Sequence, residues 1–170
     1  SFDSDDEYFA DGMTEELIAS LASIKSLRLI ARTSVMKYKN SRAGIGEISR
    51  ELKVGTVIEG SVRKAGNKLR ITVQLIDTLT EEYLFVNSYD RELQDIFTIQ
   101  SEIAQAIAEA LKVHFSSSEK KELEVRATDN IDAYTLCLKG RVRWDVRSET
   151  AVNSAISYFE QAIKLDPNYA

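Results

Sequence analysis

His114 and Cys137 are the only histidine and cysteine among the 170 residues. Any serine or cysteine triad would therefore have to run through that one imidazole. No nucleophile-and-base signature accompanies it. His114 instead follows an apolar stripe at a helix end, where the helix dipole favours a cation. Cys137 lies between Leu136 and Leu138 and reads as a small buried hydrophobe; with no second cysteine, an intrachain disulfide is excluded. Asp3, Asp5, Asp6 and Glu7 have the look of a calcium loop. The position needing glycine holds Tyr8, however, and the position of the closing glutamate holds Thr14. Gly44-Ile45-Gly46 lacks the Gly-Lys-Ser/Thr that completes a phosphate loop. Gly60, inside a strand pattern, points to a bulge or a close backbone approach. The lone histidine and cysteine are far apart, and the carboxylates show no ligand spacing. No catalytic residue, no cofactor site and no metal site is expected.

The remaining charge-based option is docking. The net charge is −5, which argues against a dedicated nucleic-acid binder. Charge is also segregated. Residues 1–24 carry seven acids and no base, residues 28–70 carry eleven bases against Glu47, Glu51 and Glu59, and residues 77–109 carry Arg91 as their one base. One reading is mutual neutralisation across packed faces. The other is a basic face formed by Arg63, Lys64, Lys68 and Arg70 that docks an acidic partner or nucleic acid. No aromatics interleave there, which weakens single-strand stacking.

The elements that would position these residues follow from periodicity. Phe9, Met13, Leu17, Leu21 and Ile24 recur at helical spacing. Leu27–Arg32 alternates like a short strand, Thr33 and Ser34 suit the cap of a brief helix through Tyr38, and Ile45, Ile48 and Leu52 mark another helix that Gly55 would end. Leu69, Ile71, Val73 and Leu75 alternate strictly with polar residues. Flanked by Thr56–Lys64 and Tyr83–Tyr89, they predict a three-stranded antiparallel meander needing helices over one face. Ile96, Ile99, Ile103 and Ile107, with Asp95 as a cap, supply one such cover. Residues 116–130 turn polar, as a linker or a solvated helix.

The last forty residues hold the best-defined pattern. Gly140 and Trp144 lie in one helical stretch; Ala155, Phe159 and Ala162 lie in the next, before Asp166-Pro167. This resembles a tetratricopeptide (TPR) repeat, whose second helix presents small-aromatic-small residues before a proline stop. The spacing from Gly140 to Pro167 is three residues longer than the usual pattern, which implies an extended first helix or turn. The resemblance assigns packing roles to Gly140, Trp144, Ala155, Phe159, Ala162 and Pro167. It also implies further repeats, which would cover Ile156, Ile163 and Leu165.

Upstream, Glu7-Tyr8-Phe9-Ala10-Asp11-Gly12-Met13-Thr14-Glu15-Glu16-Leu17 resembles the opening helix of TolB-like amino-terminal domains that neighbour TPR arrays in bacterial and archaeal signalling proteins. Ala31–Val35, Glu59–Arg63, Gln74–Asp77, Tyr89–Leu93 and Gln100–Ala104 continue the likeness in order. Members begin with an apolar strand that this chain lacks, so an open sheet edge is expected. In such proteins the domain accompanies a class III nucleotide cyclase, a winged-helix regulator or a kinase.

The expected fold is α/β (α+β): a mixed or antiparallel sheet with helices mainly on one face, then a TPR-like hairpin. Residues 1–115 form the TolB-like domain, 116–130 a linker and 131–170 the hairpin. The expected function is a non-catalytic sensory or protein-interaction module of a larger signalling protein. The alternative is a regulatory segment of an adenylate or guanylate cyclase or of a winged-helix transcription regulator. Partners are expected to be protein or peptide, including a second copy through the open TPR face or sheet edge. Neither nucleic acid nor membrane is expected to bind this segment. The compartment stays open, cytoplasmic or beyond a membrane. The start at Ser1, with no leader, fits a piece of a longer protein.

Overall fold

The structure, a computed structural model, describes residues 4–113, 116–124 and 126–169, without the side chains of residues 4–6, 120 and 122–124. His114 and the side chains of Asp3, Asp5 and Asp6 thus lie outside the described residues. At the centre is a three-stranded sheet in the order β1-β2-β3, formed by β1 (Thr56–Ala65), β2 (Lys68–Asp77) and β3 (Tyr83–Glu92). Both pairings are antiparallel, as the alternation predicts, with Val62 opposite Ile71 and Ile71 opposite Tyr89. Gly66, at φ +59°, makes the first hairpin turn. Register shifts between Leu75 and Ile76.

Leu69, Ile71, Val73 and Leu75 of β2 are at most 2% exposed. They are covered by two helices, α1 (Ser4–Ala22) and α4 (Ile96–Ala110), once the minor helices α2 (Arg32–Val35) and α3 (Ile45–Leu52) are counted in chain order. From α1 come Phe9, Met13 and Leu21; from α4 come Ile96, Ile99, Ile103 and Ile107. The α4 stripe recurs every three or four residues, so one face of that helix meets the sheet continuously. Lys68 and Arg70 on the opposite side of β2 are exposed. The fold is α+β with its main helices on one face of the sheet.

Several local expectations are corrected. Leu27–Arg32 is not a strand: residues 27–31 are irregular, with no ladder bonds among the described residues. Alternation makes a strand only when a neighbour takes the N–H and C=O groups. The left-handed stop of α3 is Lys53, at φ 55° and ψ 48°, and not Gly55. Ala31, not Thr33 or Ser34, precedes α2, and a 3₁₀ turn (Met36–Tyr38) completes that stretch. Asp95 occupies the start of α4 but its side chain makes no capping bond.

The polar stretch after residue 115 forms a helix, α5 (Ser117–Glu124). A reciprocal cap starts it: the Ser116 N–H donates to Glu119 Oε2 (2.8 Å) and the Glu119 N–H to Ser116 Oγ (3.3 Å). Two longer helices end the chain, α6 (Ile131–Val146) and α7 (Glu149–Leu165). Asn130 and Ser148 cap them by accepting from the N–H groups of Ala133 and Ala151.

Gly60 is the close-approach glycine that the strand pattern points to. A Cβ there would stand 2.9 Å from the Thr72 carbonyl oxygen, and backbone cannot swing aside as a side chain can. Alanine should recover roughly 0.5–1 kcal/mol of backbone entropy, yet force strands apart at a typical cost of about 1–3 kcal/mol. Gly60→Ala is therefore expected to lower the midpoint of urea unfolding. A raised midpoint would contradict the strand geometry.

Candidate interaction surfaces

The joint of α1 and α6 brings together two helices from opposite ends of the chain. Gly12 makes it. A Cβ at Gly12 would lie 2.3 Å from Leu138 Cδ2, so the absent side chain is the socket that receives Leu138. Leu138 is 1% exposed and Tyr134 2%, and both belong to the core that contains β2 and α4. Deeper in, Gln100 Nε2 donates to Tyr134 Oη at 2.7 Å and approaches Met13 Sδ at 3.4 Å. Burial, reinforced by the Glu16 charge, pushes the Tyr134 phenol well above its ordinary range. α6 thus shares one core with α1, β2 and α4. Composition registers polarity along the chain and is blind to a long-range helix pairing.

An ionic rim borders the joint. Arg32 Nε lies 3.3 Å from Glu15 Oε1, and its Nη1 donates to Asp145 of α6 at 3.2 Å. The Nε contact is an ion pair by distance without an aligned hydrogen bond. Arg141 Nη1 reaches Glu15 at 3.0 Å and Glu16 at 3.4 Å. Burial works against the Arg141 charge, but Cys137, Glu15 and Glu16 outweigh it and hold its pKa up. Lys39 pairs with Asp11 (2.7 Å) and Glu7 (3.0 Å). The acids of the first helix thus meet bases from the following segment, which is the neutralising reading of the charge pattern.

Within the hairpin, a Cβ at Gly140 would lie 2.4 Å from the Phe159 ring, so Phe159 of α7 packs onto bare backbone of α6. Ala155 is fully buried and Ala162 is 3% exposed; Pro167 follows the last turn of α7 and is exposed. Trp144 is set apart, half exposed in the last turn of α6. Ile156, Ile163 and Leu165 are 45%, 52% and 48% exposed; Ile156 and Ile163, seven residues apart, share one face of α7, and Leu165 lies on the other side.

Arg63, Lys68 and Arg70 share the exposed face of the sheet, and Lys64 does not. Arg63 stands opposite Arg70, whereas Lys64 stands opposite the buried Leu69 and reaches under the sheet to the Phe9 ring, 5.8 Å from its centroid. Arg70 is gripped in a two-pronged pair by Asp90 at 2.7 and 3.0 Å, and Lys68 sits across from Glu92. The period-two alternation already separated Lys64 from Arg63; the cross-strand acids needed the register.

Four surface carboxylates are held below their ordinary range. Asp77 is lowered by the N–H groups of Thr80 and Leu79, Asp90 by Arg70, Glu51 by Lys37 and Tyr38, and Glu119 by the N–H of Ser116. Each has a depressed folded pKa. Its contribution is complete above the unfolded value, 3.8 for Asp or 4.5 for Glu, and fades as pH falls through the lower folded one. Thermal stability should hold from pH 7 to about 5 and decline below about 4. A pH series at fixed ionic strength, followed by circular dichroism, checks this; equal melting at pH 2 and pH 7 would contradict it.

Among the described residues, no group of three or more His, Cys, Asp or Glu side chains is arranged to hold a metal ion, and no helix is long and apolar enough to cross a membrane. The Gln100–Tyr134 bond, the Gly12 socket and the Arg32 pairs were not singled out by sequence; Gly12, inside a striped helix, was the one available signal. No protein-family model matches the chain. The chain is 37% identical over all 170 residues to a protein from Rhizobium meliloti (strain 1021) named "Putative adenylate cyclase 3", and it spans 29% of that protein's length.

Proposed function

We propose that the chain is a non-catalytic regulatory module of a nucleotide cyclase: a TolB-like unit rigidly joined to the first helical pair of a TPR array. It takes up a signal or a protein or peptide partner and relays to a cyclase domain elsewhere in the protein. The observation that carries this reading is the match itself, which runs the full length of the chain yet accounts for 29% of a protein bearing a cyclase name. Most of that relative therefore lies outside the shared segment. The joint supports relay, because Gly12, Leu138 and Tyr134 lock α1 and α6 into one core. A displacement of α1 must then be felt by the hairpin, since close-packed interfaces are bistable and not continuously deformable. The exposed pair Ile156 and Ile163, on one face of α7, supports a TPR reading, where a following helical pair or a partner covers that face.

The reading is tested first on the chain alone, incubated with ATP or GTP and magnesium or manganese. No cyclic nucleotide above a buffer blank is expected. Turnover that disappears on a point substitution in this chain would overturn the non-catalytic assignment.

A further inference from the structure

A cavity of about 50 Å³ opens beside the joint, lined by residues from α1, α4, the segment before α6, and α6 itself. A water needs at least about 10–15 Å³ of such space, so the cavity has the capacity of a molecule with a handful of heavy atoms. Its walls are not those of an ordinary packing gap. Gln100 and Thr128, 8% and 5% exposed, are the buried polar residues among the described ones, and both line it. Gln100 spends its amide N–H groups on Tyr134 and Met13, which leaves its carbonyl oxygen as an acceptor. Tyr134 accepts from Gln100, which leaves its own proton to give.

The cavity lining carries both a cation, Arg126, and an anion, Glu16. Arg126 lies over the Phe97 ring, 5.8 Å from its centroid, and Phe97 meets Tyr134 edge-on at 5.1 Å. The Glu16 carboxylate, also on the lining, is near enough to act on the Tyr134 phenol. A cation and an anion on the lining of one small polar cavity match the two charges of a small zwitterion. Neither charge is tightly held. Arg126 reaches Asp129 at 3.3 Å and Thr98 at 3.2 Å, and Glu16 meets Arg141 at 3.4 Å. Charge-assisted bonds settle at about 2.7–2.9 Å, so both groups can accept a better partner.

We propose that this cavity binds a free α-amino acid of small side chain, its carboxylate on Arg126 and its ammonium on Glu16 and the Gln100 carbonyl. The ligand bridges α1 and α4 on one side to α6 on the other. Occupancy therefore tightens the joint through which the module relays. The proposal rests on the sensory reading above and names the signal.

Titration calorimetry of the folded chain with glycine and L-alanine tests it, with acetate and methylammonium as single-charge controls. Saturable binding of an amino acid at millimolar concentration or below is expected, with neither control competing. Arg126→Gln and Glu16→Gln, both partly exposed and checked for fold by circular dichroism, should each weaken it about tenfold, the effect of losing 1.4 kcal/mol of contact. The proposal is overturned by no saturable binding of either amino acid, by acetate binding as tightly as alanine, or by affinity unchanged in both variants. Its failure is separable from that of the regulatory reading. The latter stands or falls on whether joint substitutions alter cyclase output, whichever ligand fills the cavity.

Discussion

Leu138→Ala should destabilise the chain by about 2–5 kcal/mol, the range for removing a buried leucine from a core, and the hairpin and sheet should still unfold in one transition. Leu138 is 1% exposed and fills the socket at Gly12, where a Cβ would be 2.3 Å from its Cδ2. The same contact dictates a coupling. Gly12→Ala alone must push Leu138 aside within a close-packed core and should lose stability. In the Leu138→Ala background the space is vacant, and the alanine recovers roughly 1 kcal/mol of helix propensity. A double-mutant cycle in urea should then show the pair to be less damaging than the sum of its parts. Additive effects would mean that α1 and α6 do not meet as described.

Ala155→Trp should cost about 1–3 kcal/mol by overpacking and detach α7 from α6. Ala155 is fully buried, and its neighbour Phe159 already rests against Gly140 at a distance that admits no Cβ. Nothing between the two helices can yield the volume of an indole. Trp144→Ala, at a half-exposed site, should leave the melting temperature within about 1–2 °C, since exposed substitutions stay near ±0.5 kcal/mol. If Ala155→Trp melted like the parent, the register assigned to the hairpin would be wrong.

Strict alternation in β2 and the apolar stripes of α1 and α4 were legible in the sequence because one buried face imposes one period. Gly140, Ala155 and Phe159 were legible as a set because helices approach closely only where side chains are small. Leu27–Arg32 shows the limit: its alternation is as regular as that of a strand, but pairing depends on a neighbour that the local pattern does not encode. The quartet of Arg63, Lys64, Lys68 and Arg70 shows another. Lys64 was set apart from the other three by the pleat, and Arg70 was neutralised by Asp90, twenty residues away. The joint was the least legible part, since Gly12 and Leu138 meet across most of the chain and polar residues intervene.

We propose that this segment regulates a cyclase through the α1–α6 joint without doing chemistry itself. The most direct measurement is the rate of cyclic nucleotide formation by a cyclase carrying this segment, with and without Leu138→Ala, in protein shown to remain folded. Loosening the joint is expected to change the rate severalfold while the purified 170-residue chain forms no product. An unchanged rate in the folded variant would contradict it.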